Sequence, residues 1–390
     1  MDAAALIDSA EDGTLAGGPQ QAAEDAGLIY VRDDVPGITR RRSGKGWAYR
    51  APDGRPIRNR DEIARLNSLA IPPAYTDVWI CPTPNGHIQA TGRDARGRKQ
   101  YGYHSKFRET REETKFEHML AFARALPTIR KRIDRDMALR GLRREKVLAT
   151  IVYLLETTLI RVGNDEYAKD NKSFGLTTLR NRHVRIEGSE LRFRFKGKSG
   201  KEWNLKLRDR RVARIVKAAQ ELPGQSLFQY LDEGGARREV SSGDVNAYLK
   251  EISGRDITAK DFRTWGGTVL AALTLAEMEE GETERAAKKN LTAAIKCVAT
   301  QLGNTPAVCR KSYIHPAVLA SYMARELRLG TGDGAADAAA ETAADAIAEG
   351  LRAEEQAVLR FLEGRLAQAA QELDKRRDLR GTLERSAAAA

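Results

Sequence analysis

The sequence predicts an α+β protein: a small antiparallel β domain followed by a mainly helical domain that carries a three-stranded sheet. Three observations predict it. Between residues 28 and 103, short apolar or aromatic runs alternate with turn chemistry at 43–46, 52–54, 84–86 and 94–97. After Lys106 the composition turns to helix formers, and apolar residues recur at three and four. Inside that helical half, residues 184–207 switch to a period of two, with Leu191, Phe193 and Phe195 on one face of one run and Trp203, Leu205 and Leu207 on one face of the next.

In chain order, residues 1–26 are rich in Ala, Gly, Asp and Gln without a sustained period, which predicts a mobile arm. The β runs follow, interrupted by one helix over 61–68 with Asp61 as its cap. A linker is expected near residues 105–110, and helices over 111–126 and 127–142. Val147, Leu148, Ile151, Leu154, Leu155 and Leu159 then mark a helix that Gly163 should stop. Arg161 falls near its end, where the helix dipole favours a cation whatever else the residue does. The hairpin tip after the second strand of the meander is Gly197-Lys198-Ser199-Gly200, a place where a lysine is mobile and solvated. A further helix starts at Asp261, with Arg263 in its first turn and therefore set against the dipole. Another spans 284–302. Gly303 ends it, Thr305 is a good N-cap, Pro306 suits the first helical position, and His315 before Pro316 breaks the short helix just after Tyr313. Beyond a Gly/Ala/Asp/Thr stretch at 330–344, Ile347, Leu351, Val358, Leu362 and Leu366 mark one amphipathic helix, expected to pack on the body.

Charge narrows the function. The 390 residues hold 66 Lys+Arg against 54 Asp+Glu, a net charge of +12 that favours a polyanionic partner, nucleic acid first. Basic and aromatic residues interleave in 93–104: Arg98 and Lys99 can hold phosphates, while Gln100, Tyr101 and Tyr103 can reach base edges or stack, although a solvated basic hairpin would look alike. Cys81, Cys297 and Cys309 have no CxxC spacing, so neither a zinc site nor a disulfide framework is expected. No apolar run reaches membrane-spanning length and the acidic start does not read as a secretory signal, so a soluble, cytoplasmic protein is expected.

The ordered set Arg161, Lys198, Lys260-x-x-Arg263, Asn304 and Tyr313 resembles the catalytic pattern of type IB DNA topoisomerases of the small poxviral and bacterial kind. The resemblance covers roughly residues 28–325 and is strongest at 91–101, 159–164, 175–179, 260–264 and 302–313. It implies the catalytic fold shared by tyrosine recombinases and type IB topoisomerases, with Tyr313 as nucleophile, Arg161 and Arg263 on the scissile phosphate, Lys198 as general acid, and no cofactor or metal. Gln100, Tyr101 and Tyr103 match DNA-contacting positions of the N-terminal domain, and Tyr167 and Lys260 match contacts of the catalytic domain. The chain would divide into an arm (1–26), a β-rich DNA-binding domain (27–107), a catalytic domain (108–329) and an Ala-rich linker with a C-terminal helix (330–390), a monomer clamping double-stranded DNA. Poxviral members have histidine where this chain has Asn304, and lysines where it has Asn164 and Glu166; the asparagine is common in bacterial relatives. Two other readings stand beside this one. A tyrosine recombinase usually has His-x-x-Arg at 260–263 and a helical preceding domain, and a DNA-binding protein without catalysis would leave the ordered set unexplained.

Overall fold

A computed structural model describes residues 7–9, 18–44, 46–279, 281, 283–330, 350–368 and 371. The chain separates into two compact units, Met1–His118 and Met119–Ala390.

The first unit contains β1 (Ile7–Ser9), α1 (Gly18–Asp25), β2 (Thr39–Ser43), β3 (Gly46–Arg50), α2 (Arg60–Ser68), β4 (Thr76–Ile80), β5 (Ile88–Arg93) and β6 (Lys99–Tyr103). Strands β1-β6-β5-β4 form one antiparallel sheet, and β2 and β3 form a separate hairpin. Ile38, Tyr49, Leu66, Ile71, Ile80 and Ala90 make its main core. Arg40 closes the bend after α2 by donating to the carbonyls of Ile71 (2.7 Å) and Pro72 (2.6 Å). Asn59, rather than Asp61, caps α2, its side chain accepting from Glu62 N. Part of the expected arm is ordered: α1 buries Ala22 and Ala23 against Leu28 and Phe107, and the backbone of β1 pairs with β6. Small alanines can seat a short helix closely even where no longer apolar period announces it.

The expected linker near 105–110 is instead the start of α3 (Ser105–Met137), a continuous helix with Pro127 inside it. Proline removes one helix hydrogen bond, costing about 3 kcal/mol in an exposed helix, yet Leu126, Ile129 and Ile133 are buried around it. Tertiary packing overrides the local break.

In the second unit, α4 (Arg144–Thr158) is buried on all sides, as befits a central helix. It stops at Thr158, with Leu159 in the left-handed region (φ 54°), five residues before the expected stop at Gly163. Gly163 answers a different need: a Cβ on Gly175 would lie 2.5 Å from its Cα, so two glycines let the chain cross itself. After α5 (Asp165–Asn171) come β7 (Val184–Glu187), β8 (Glu190–Lys196) and β9 (Glu202–Arg208), the three-stranded meander. Leu191, Phe193 and Phe195 point inward from β8 between exposed Arg192, Arg194 and Lys196. Then follow α6 (Arg210–Gln220), the hairpin β10 (Gln229–Leu231) and β11 (Arg237–Glu239), α7 (Ser242–Ser253), α8 (Ala259–Glu277), α9 (Glu284–Leu302), α10 (Pro306–Ser312) and α11 (Pro316–Met323).

Residues 353–368 form a last helix, α12. Leu351, Val358 and Leu362 are buried, whereas Leu366 is exposed and Ile347 lies outside the described residues. Arg130 of α3 ties it down, donating to Glu355 (2.8 and 2.9 Å), Glu156 (2.7 and 2.9 Å) and the Gly350 carbonyl (2.7 Å). Burial raises the pKa of Glu355, but the bonds from Arg130 and from the Arg352 backbone more than offset it and hold the carboxyl below its ordinary 4.5. A depressed carboxylate stabilises the fold above its unfolded pKa, and the gain is lost as pH falls. Glu355→Gln should therefore lower stability near neutral pH by about 1–3 kcal/mol, with the gap to wild type closing below about pH 4.5. Thermal melts showing the same gap on both sides would remove the charge from the explanation.

Candidate active site

Three helix ends meet the flank of α8. The first turn of α8 is closed internally, Thr258 N and Oγ1 donating to Asp261 Oδ2 at 2.8 and 3.1 Å. One turn on, Arg263 is 3% exposed. Its Nη1 donates to the Leu159 carbonyl and its Nη2 to the Leu302 carbonyl, the latter at 2.8 Å. These are the C-terminal ends of α4 and α9, where carbonyls lack intrahelical donors and carry partial negative charge. The sequence expectation of an arginine set against a dipole is thereby corrected. The helix begins at Ala259, two residues before the expected Asp261, so Arg263 lies beyond its first turn, where the dipole has faded, and it satisfies the ends of two other helices.

Two residues past each of those carbonyls stand Arg161 and Asn304, and Arg161 Nη2 donates to Asn304 Oδ1. The Arg263 guanidinium lies 5.2 Å from the centroid of the Tyr313 ring. Burial, and next the charge of Arg161, pull the Arg263 pKa down to about 10, so it stays protonated at neutral pH. Its Nε is buried without an acceptor, and so is Asn304 Nδ2. The amide also interacts with the Cys309 thiol, whose pKa burial pushes up, but sulfur is too weak an acceptor to satisfy it. Arg40 Nε and Trp265 Nε1 are also buried without acceptors, but Arg263 Nε and Asn304 Nδ2 belong to the cluster that holds Tyr313. The non-bridging oxygens of a phosphate would satisfy both.

Tyr313 is where the sequence signals put it. Thr305 caps α10 by accepting from Val308 N, Pro306 follows, and Tyr313 is the C-cap with φ −130° and ψ −4°. Its side chain is buried, 5% exposed. His315 is extended and caps α11.

The structure thus brings together Arg161, Arg263, Asn304 and Tyr313. Lys198 is placed at the exposed tip between β8 and β9, in a turn where Ser199 has φ 62°. That hairpin is nonetheless anchored to the cluster: a Cβ on Gly303 would come within 2.8 Å of the Trp203 ring, so the base of the tip packs beside Asn304. Lys260 is half-buried in the first turn of α8. Tyr167 lies in α5, and its side chain is outside the described residues.

In the first unit, Lys99, Tyr101 and Tyr103 alternate onto one face of β6. Lys99 Nζ is 5.3 Å from the Tyr101 ring, and the two tyrosines stack at 6.1 Å. Lys99 pairs with Asp33 (2.6 Å) and Arg98 with Asp94 (2.7 Å). Gln100 is buried on the opposite face and donates to Asp94 at 3.1 Å.

Sequence reasoning missed Gly267 and Thr268 of α8. A Cβ on Gly267 would fall 2.8 Å from the Tyr313 carbonyl oxygen, and Thr268 Oγ1 donates to that oxygen at 3.3 Å. The signal was available: a Gly-Gly pair inside a helix costs about 1 kcal/mol per residue against alanine, and calls for a close approach to explain it.

Comparison with known proteins completes the description. Residues 104–329 match the catalytic core of eukaryotic DNA topoisomerase I, and residues 46–94 match the bacterial DNA topoisomerase IB N-terminal domain. DNA topoisomerase 1B of Acanthamoeba polyphaga mimivirus is 35% identical over 293 residues, 73% of this chain and 87% of that protein. DNA topoisomerase 1B of Vaccinia virus (strain Copenhagen) is 24% identical over 262 residues, 65% of this chain and 80% of its own length.

Proposed function

The chain belongs to the type IB DNA topoisomerase family, and from that premise we propose that it relaxes positive and negative supercoils through a transient nick at which Tyr313 is the nucleophile. The observation that carries the site assignment is the pair of buried donors, Arg263 Nε and Asn304 Nδ2, left without acceptors in the cluster that holds Tyr313.

In the proposed reaction Tyr313 Oη attacks a phosphodiester phosphorus in line and releases its proton to water. The bond from phosphorus to Oη forms as the bond to the 5′ oxygen breaks, leaving a 3′-phosphotyrosyl enzyme. Arg161 and Arg263 bind the non-bridging oxygens and neutralise charge growing in the transition state. Lys198, reaching from its hairpin tip, protonates the departing 5′ oxygen. After strand rotation the 5′ hydroxyl attacks phosphorus and expels the tyrosine. One phosphoester bond is exchanged for another, so its energy is kept in the phosphotyrosine and ATP is not consumed, and fixed guanidinium charges do the work that a metal would otherwise do.

Asn304 donates Nδ2 to one phosphate oxygen and keeps Arg161 oriented through Oδ1. Asn304→Ala should slow single-turnover cleavage roughly ten- to a thousand-fold, up to the ~4 kcal/mol that one oxyanion donor supplies. Unchanged cleavage would take Asn304 out of the site.

On this reading Arg98, Lys99, Tyr101 and Tyr103 of the N-terminal unit contact duplex DNA, as do Tyr167 and Lys260 of the catalytic unit, whereas Gln100, buried on the opposite face of β6 and bonded to Asp94, would have to leave that bond to do so. One tyrosine suffices for one nick, so a monomer is proposed. The match at 46–94 supports the bacterial branch, and a DNA substrate in such a cell would put the protein at the nucleoid in the cytoplasm. No helix among the described residues is long and apolar enough to cross a membrane.

The test is plasmid relaxation with EDTA present and ATP absent. Both signs of supercoil should relax. Protein that binds DNA yet relaxes neither would sink the proposal.

A further inference from the structure

Thr268 is fully buried on α8, five residues beyond Arg263. Threonines inside helices commonly turn their hydroxyl back to the carbonyl four residues earlier, as Thr150 does to Lys146 (2.8 Å), Thr158 to Leu154 (2.6 Å) and Thr264 to Lys260 (3.3 Å). Thr268 sends its hydroxyl across to another element. Oγ1 donates to the Tyr313 carbonyl at 3.3 Å and accepts the His315 N–H at 3.1 Å. Met119 Sδ, at 3.5 Å, is the weaker acceptor for the same proton.

Those two bonds bracket the segment whose conformation aims the phenol. Tyr313 has left the helical region (φ −130°, ψ −4°) and His315 is extended (φ −63°, ψ 127°), so neither end of 313–315 is held by a continuing helix. Gly267, next to Thr268, allows α8 to come this close, since a Cβ there would be 3.3 Å from Tyr313 Cβ. The helix that presents Arg263 to the ring therefore also holds the backbone of the ring's residue.

We propose that Thr268 is a positioning residue for DNA cleavage: through its hydroxyl bridge between Tyr313 O and His315 N it sets where the attacking phenol sits relative to Arg263. The proposal rests on Tyr313 being the nucleophile. It adds a residue that touches neither substrate nor reacting atoms.

The test compares Thr268→Val, which keeps the shape and removes the hydroxyl, with Thr268→Ser, which keeps the hydroxyl. The measurements are single-turnover cleavage and religation on an end-labelled duplex, with the reaction amplitude and duplex affinity measured alongside. Thr268→Val should slow cleavage and religation together by about 10- to 100-fold, the cost of a displacement approaching 1 Å. Affinity and amplitude should stay near wild type, and Thr268→Ser should restore most of the rate. A purely structural role predicts the opposite split, with reduced amplitude at an unchanged rate constant. That result, or equal slowing in the serine variant, would overturn the proposal. Should the valine variant fail to fold, Thr268→Cys, a poorer donor of similar size, should fall between serine and no cleavage, and wild-type speed there would overturn it too. Absence of an adduct from the wild-type protein would instead fault the nucleophile assignment, a separate failure.

Discussion

Tyr313→Phe is expected to lose the covalent DNA adduct and all supercoil relaxation, a fall of roughly 10⁴-fold or more as in other enzymes deprived of a nucleophile, while duplex affinity stays within a few-fold. The geometry explains why this substitution separates chemistry from folding. Phenylalanine keeps the buried ring over which the Arg263 guanidinium sits at 5.2 Å, and the backbone bonds of residue 313 involve Cys309 and Thr268 rather than the phenol. Only Oη is removed. The readout is a denaturant-resistant complex with end-labelled duplex. An adduct formed by the phenylalanine variant would assign the attack to another side chain.

Arg263→Ala carries the second large effect, and it should be double. Loss of a guanidinium from a transferring phosphoryl group costs about 10³- to 10⁵-fold, so cleavage should fall by that range. The same change strips donors from the Leu159 and Leu302 carbonyls, and each buried acceptor left unsatisfied costs about 1–3 kcal/mol. Stability should therefore fall with activity. Arg161→Ala is the control, because Arg161 is only half-buried and bonds to one side-chain oxygen. It should lose activity with far less change in melting temperature. Equal stability losses at the two positions would remove the helix-end role of Arg263. Arg263→Lys should not rescue, since an ammonium cannot span both carbonyls and still present a planar fork to phosphate.

Where the determinants are local, the sequence already contained the structure. Gly303, Thr305, Pro306 and the His315-Pro316 pair act within a few residues of themselves, and α10 begins and ends as they direct. The alternation of Leu191, Phe193 and Phe195 likewise sets β8, because one buried face suffices to fix a period of two. What could not be read from neighbours depended on partners far along the chain. Pro127 looks like a helix break until the apolar residues packed around α3 are seen. Leu159 takes up a left-handed cap in place of Gly163, and its carbonyl is claimed by an arginine 104 residues later. Thr268 looks like an ordinary helix residue because its two bonds end 45 and 47 residues away. The candidate catalytic residues were visible as an ordered set through family resemblance. Their mutual support was not.

The placement of Arg263, Gly267 and Thr268 on one rigid rod has a mechanical consequence. On the proposed assignment, the group that would grip the electrophile and the group that would steady the attacker share a mount. Were that mount to rock, both would shift in the same sense, and much of the excursion would cancel in the distance between them. A reaction that must run forward and backward at one phosphorus needs such vibration-tolerant alignment more than it needs an immobile protein.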